Sequence, residues 1–295
     1  MKWKTALLAA GSLFAGINAF LGNRQLIVEK EVMYSRKLPA AFEGMKVMLI
    51  SDLHRKKFGK DYGILLDSVK AASPDIIIFA GDLYSKNEEE LGGKVKLMKD
   101  LDAIAPVYYA PGNHELHRLE VWDAMYHKLK SAGINVLRNE MAVVCRGSDR
   151  INIYGIQIPL KYFINKDGTY CSLPVPDSST ISRYLGESDP DHCDLLIGHN
   201  PLFFEAYERW GADFVFSGHV HGGVIRLPIA GGILSPERRF FPKYTKGIYR
   251  LGKTVMAVSS GLGKYRINNP SQMMLITLTG KKQPSKHSKG HAWDI

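Results

Sequence analysis

The chain is expected to fold as an α/β domain, and three observations predict it. Apolar runs of strand length alternate with helix-like segments through the first half, which implies parallel pairing. The later half is richer in β-type residues. Several of the apolar runs end directly on Asp, Asn or His. In an α/β sheet such runs are buried on both faces, so the first polar residues past their carboxyl ends converge on one rim, where ligands bind.

In chain order, Val47-Met48-Leu49-Ile50-Ser51 runs into Asp52-Leu53-His54. A helix is expected over Tyr62 to Ala72, and Ile76-Ile77-Ile78-Phe79-Ala80 then delivers Gly81-Asp82. A second helix over Glu88 to Leu101 leads to Val107-Tyr108-Tyr109 and Gly112-Asn113-His114-Glu115. After a third, over Leu119 to Ala132, strands are read at Ile151 to Tyr154, at Leu195-Leu196-Ile197 before Gly198-His199-Asn200, and at Phe214 to Ser217 before Gly218-His219-Val220-His221. Gly247 to Arg250, Val255 to Val258 and Met273 to Leu278 complete the β-rich half.

Asp52 and His54 alternate with Leu53, so period-two geometry sends both polar groups to one side; His219 and His221 repeat the device. A carboxylate such as Asp82 has two oxygens with which to bridge two cations, and the preceding glycine lets backbone pass close to a ligand. Any one of these histidines alone is as well explained as a surface or core residue. Three Asp or Asn and four His residues, each just past an apolar run, point to one shared constellation with ligands for two metal ions.

In content and order these motifs resemble those of the calcineurin-like metallophosphoesterases, from about Leu38 to Leu278. Gly222-Gly223, Ile225 to Pro228, Gly231-Gly232, Phe241 to Tyr244, Gly261-Leu262-Gly263 and Arg266 to Asn269 are similar to its YkuE/YaeI-like bacterial branch. The resemblance implies an α/β/β/α sandwich of two mixed sheets flanked by helices. It also implies that Asp52, His54, Asp82 and His221 hold one metal while Asp82, Asn113, His199 and His219 hold the other. Oxygen and imidazole ligands without thiolate suit Mn, Fe or Zn. The implied reaction is in-line attack of a metal-bridging hydroxide on a phosphodiester or pyrophosphate bond, with His114 as catalytic proton donor and Glu115 able to orient its ring. Relatives commonly carry an acidic residue at the position of Ser85, so the partner of His114 is open. Arg55, Lys56 and Arg226 could contact substrate phosphate or belong to solvated loops.

The formal net charge of +10 favours anionic partners, here a phosphorylated small molecule or lipid. Nucleic acid is not expected, because no aromatic-and-basic groove pattern accompanies the charge. Cys145, Cys171 and Cys193 lack metal-type spacing and read as buried or inert thiols. Residues 1–22 contain an 18-residue uncharged stretch behind Lys2 and Lys4, either a membrane anchor that leaves the catalytic domain outside the cell membrane or a cleaved signal segment. Residues 23–44 read as a connection, 45–280 as the catalytic domain and 281–295 as a basic tail, either solvated or in contact with an anionic surface. The alternatives to an esterase are a catalytically idle envelope-binding module and a nuclease of the same superfamily.

Overall fold

The computed structural model describes residue 3 and residues 25–223, 226–227, 231–235, 240–263 and 268–282. Two six-stranded mixed sheets lie face to face. The first has the order β1 (Leu26–Tyr34), β14 (Ser271–Thr279), β2 (Lys46–Ile50), β3 (Ile76–Ala80), β4 (Val107–Ala110), β5 (Asn135–Val136). The second runs β12 (Gly247–Leu251), β13 (Thr254–Val258), β9 (Phe214–Ser217), β8 (Cys193–Ile197), β7 (Asp149–Gly155), β6 (Glu140–Arg146). A short ribbon pairs β10 (Arg226–Leu227) with β11 (Gly231–Gly232).

Side-chain alternation builds the layers. Val47, Leu49, Ile76 and Ile78 of the first sheet meet Leu195, Ile197, Phe214 and Phe216 of the second in a core between the sheets. Their neighbours Met48, Ile50, Ile77 and Phe79 point the other way, onto helices α1 (Gly63–Ala72), α2 (Gly92–Asp102) and α4 (Leu119–Ser131) through Leu65, Leu97, Leu101, Trp122 and Leu129. Leu196, Val215 and Met256 pack outward on α5 (Ser178–Leu185) and α6 (Phe204–Trp210) through Ile181, Phe204, Tyr207 and Trp210. Each of these large apolar side chains contributes about 1.5–3 kcal/mol on burial, and only the two-sided strands can feed two cores at once. The result is the expected α/β/β/α sandwich.

Parallel pairing of β2 with β3 and β3 with β4, and of β8 with β9 and β9 with β13, points all six carboxyl ends at one rim. Strand β14 runs antiparallel to β2, so its amino end at Ser271 reaches the same rim. The segment read as a connection contains a regular strand, β1, paired in parallel with β14. Its central Glu29-Lys30-Glu31 are the charges that suit an edge strand and conceal it in the sequence. The second helix begins at Gly92 rather than Glu88.

Cys193 is buried, and burial pushes its thiol far above the usual range. Cys145 and Cys171 are exposed, and none of the three forms a disulfide. No helix among the described residues is long and apolar enough to cross a membrane. The uncharged stretch near the amino end and the tail beyond Lys282 lie outside those residues.

Candidate metal centre

The five motifs meet at the shared rim. Asp52, His54, Asp82 and His221 each offer a ligand atom, all within 4.8 Å of one another, and so do Asp82, His199 and His219. Asp82 belongs to both groups. Its Oδ2 lies 3.7 Å from His54 Nε2 and 3.4 Å from His199 Nε2. Asp52 Oδ1 lies 3.7 Å from His221 Nε2. Asn113 opens the short helix α3 (Asn113–Leu116) beside Asp82, whose Oδ1 accepts the His114 N–H at 2.9 Å.

The chain turns sharply to present these groups. Asp52 (φ 54°), His54 (51°), Asp82 (55°), His219 (66°) and His221 (54°) all adopt left-handed backbone, which costs a residue other than glycine roughly 1–2 kcal/mol. Hydrogen bonds between the loops hold them there. Asp52 N donates to Gly81 O (3.0 Å), His54 N to Asp82 O (3.1 Å), Gly218 N to His199 O (3.0 Å) and His219 N to Asp52 Oδ1 (3.1 Å). The last two bind the second sheet's loops to each other and to the first sheet's motif.

Imidazole orientation is fixed in the same way. His199 Nδ1–H donates to Ala80 O at 2.7 Å, which turns Nε2 toward the carboxylates. His54 and His221 stack at 5.2 Å with their Nε2 atoms 3.4 Å apart, so both nitrogens face one point. Among the described residues, Asn113 Oδ1 and His199 Nε2 are buried with no hydrogen-bond partner. An unpartnered amide oxygen and ring nitrogen at the centre of a carboxylate and imidazole cluster fit divalent cations.

The electrostatics agree. Burial holds the His54 ring at about 3, so it is neutral and available as a ligand. Burial alone would raise Asp82, yet His199, His114 and His54 hold it well below the usual carboxylate range. Against burial, Asp82 and Asp52 raise His199 to about 9. Burial raises Asp52, with the Asp82 charge adding to it and His199 opposing.

Residues 45–223, more than half the chain, match the calcineurin-like phosphoesterase family. The chain belongs to that family. It is 28% identical to the uncharacterized metallophosphoesterase YkuE of Bacillus subtilis over 279 residues, 90% of each chain. With the phosphodiesterase YaeI of Escherichia coli it shares 24% identity over 242 residues, 79% of this chain and 82% of that one. An uncharacterized metallophosphoesterase of Campylobacter jejuni is 26% identical over 253 residues, and the match spans 83% of this chain but only 62% of that protein.

Within this calcineurin-like phosphoesterase site, glycines make room for the candidate ligands. A Cβ on Gly81, where φ is +81°, would stand 2.4 Å from His199 Nδ1 and 2.7 Å from the Gly112 backbone. Gly81→Ala is therefore expected to lose metal and lower the unfolding midpoint, because neither the backbone nor the buried imidazole can give way. Metal analysis with a thermal melt checks this; an unchanged melt with full metal content contradicts it. Gly261 approaches nearly as closely, its Cβ position being 2.6 Å from Asp52 Oδ2.

Glu115 does not orient His114. Its carboxylate is fully buried and accepts the N–H groups of Gly112 (2.7 Å), Leu83 (2.8 Å) and Asp82 (3.0 Å), clamping two ligand loops together. Burial and the Asp82 charge push its carboxyl up to about 7. The structure adds two further supports that sequence reasoning did not assign. Asn269, buried just before β14, donates from Nδ2 to the His221 carbonyl at 2.6 Å. Lys94 on α2 is 1% exposed and donates to the His54 carbonyl. Gly261 to Gly263 and Asn269 were visible as branch-like motifs, whereas a lysine in an amphipathic helix gives no signal.

The expected substrate cations separate. Arg55 is exposed on the rim with its guanidinium on the Asn87 carbonyl. Lys56 is buried, its ammonium on Ser271 Oγ and 4.8 Å above the Phe58 ring, so it packs rather than faces the open side. Arg226 donates to Gly222 O at 3.1 Å and supports the turn after the last motif. Phe240 and Phe241 are 73% and 65% exposed, while Tyr244 is buried.

Proposed function

We propose that the chain hydrolyses phosphodiester or pyrophosphate bonds with two divalent cations. Asp52, His54, Asp82 and His221 would hold one, and Asp82, Asn113, His199 and His219 the other. The observation that carries this reading is the pair of ligand clusters sharing the single buried carboxylate of Asp82. When bound, the cations supply Lewis acidity that activates water at neutral pH and neutralises phosphate charge.

The chain's own residues set the geometry. The clamps from Glu115, Asn269 and Lys94 keep the left-handed ligand turns from relaxing, so little reorganisation accompanies the reaction. His114 stands half-exposed at the edge of the cluster, its ring 4.5 Å from that of His54, where it can donate to a phosphoryl oxygen. Arg55 on the rim is the cation best placed to meet the far side of the substrate.

Protein stripped with chelator should be inactive, and Mn²⁺, Fe²⁺ or Zn²⁺ should restore hydrolysis. A panel of phosphomonoesters, simple phosphodiesters and nucleotide-diphosphate-linked lipids then ranks the substrates, with the diesters and diphosphates expected ahead of the monoesters. Absence of metal-dependent turnover on all three classes would sink the reading.

A further inference from the structure

At position 85, where a carboxylate partner for His114 is expected, the chain has Ser85. The structure supplies something else. His114 Nδ1 accepts the backbone N–H of Lys86 at 3.1 Å. A ring nitrogen that accepts a hydrogen bond carries a lone pair, so the ring proton sits on Nε2, on the side away from Lys86.

That amide is itself held in place. Glu88 N donates to Ser85 O at 2.8 Å and Ser85 N donates to Glu88 Oε2 at 3.1 Å, closing a turn around Lys86. The other carboxylate oxygen of Glu88 lies 3.5 Å from Lys94 Nζ, the buried ammonium that also holds the His54 carbonyl. One lysine thus links the turn behind His114 to the first ligand loop.

We propose that the Ser85–Glu88 turn, clamped by Glu88 and Lys94, is a positioning device that stands in for the carboxylate and fixes His114 as an Nε2–H hydrogen-bond donor to the phosphoryl oxygens. This rests on the phosphoesterase reading above and changes one part of it. A ring poised to pass a proton to the leaving oxygen and still remain a neutral imidazole would need a second proton on Nδ1, where the Lys86 N–H already points. Hydrogen-bond donation from Nε2 needs no such proton, and its contribution does not depend on how basic the leaving group is. A neutral imidazole can stabilise developing charge in this way.

Two measurements decide it, the first independent of turnover. In ¹⁵N-labelled, metal-loaded protein, His114 should show its single ring proton on Nε2 and an unprotonated Nδ1, and Glu88→Ala should mix the tautomers. A proton on Nδ1 in the wild type overturns the proposal. The second is a double-mutant cycle on a phosphodiester. Glu88→Ala should lower kcat roughly 10- to 100-fold with metal content unchanged, as expected when a positioned group is misaligned. Glu88→Ala combined with His114→Ala should be no slower than His114→Ala alone, because both act through one group. Glu88→Gln keeps an oxygen for the Ser85 N–H and should retain most of the activity, which separates positioning from misfolding. Equal fractional losses from Glu88→Ala in both backgrounds, or a His114→Ala defect that grows with leaving-group basicity, overturns the proposal. If the chain shows no metal-dependent turnover while the Nε2 tautomer is observed, the functional reading fails and the positioning device stands.

Discussion

Asp82→Ala should abolish hydrolysis and leave the protein with little or no tightly bound metal. Asp82 is 1% exposed and is the one residue common to both ligand clusters. Its loss would remove a ligand from each proposed site and the negative charge that would offset two adjacent dications, whose repulsion about 4 Å apart is roughly 17 kcal/mol at an effective dielectric near 20. Activity should fall by at least roughly 10³-fold, beyond the loss from removing a single transition-state hydrogen-bond donor. Metal analysis of the purified variant beside its turnover rate checks both parts. Two equivalents of metal with near-native turnover would remove Asp82 from its assigned place.

Glu115→Ala should be the most destabilising single change in the site. Three buried N–H donors, on Gly112, Leu83 and Asp82, lose their acceptor together. Each orphaned donor costs about 1–3 kcal/mol, offset in part because the variant no longer buries a carboxylate. The net loss is on the order of 3–6 kcal/mol, a large share of the stability of an ordinary domain. Glu115→Gln keeps one carbonyl oxygen as acceptor and should lose less. Urea unfolding of the two variants measures the difference; equal stability of wild type and Glu115→Ala would show that the clamp contributes nothing.

How far the sequence could be read depended on where the physics is local. Ile76–Ala80 and Phe214–Ser217 are strands with the expected bounds because both faces are buried and every residue is apolar or small. The candidate ligand residues stood out for the same reason: a buried strand announces its end when a carboxylate or imidazole follows. Strand β1 was not legible, since its pairing with β14 joins Leu26 to Ser271 across nearly the whole chain and its exposed edge carries Glu29, Lys30 and Glu31. Nor does spacing show a second sheet, which depends on alternate residues of β7, β8 and β9 finding partners on β2 and β3.

At the site, the reading failed for side chains whose partners are backbone atoms. Glu115 beside His114 suggested a carboxylate and imidazole pair, but its oxygens are taken by amides two loops away. Lys56 beside the first motif suggested a phosphate contact, yet it is buried with its ammonium on Ser271 Oγ. Glu88 looked like the first turn of a helix, whereas the helix begins at Gly92 and Glu88 closes the turn behind His114. None of these choices is encoded by residue type at a spacing; each follows from which backbone groups the fold leaves in need of a partner.

The central claim is that two cations share Asp82, and anomalous diffraction from crystals of the Mn²⁺-loaded protein tests it most directly. Two anomalous peaks are expected, one among Asp52, His54, Asp82 and His221 and the other among Asp82, Asn113, His199 and His219. A single peak, or peaks away from Asp82 in a protein that still turns over phosphodiesters, would contradict the account.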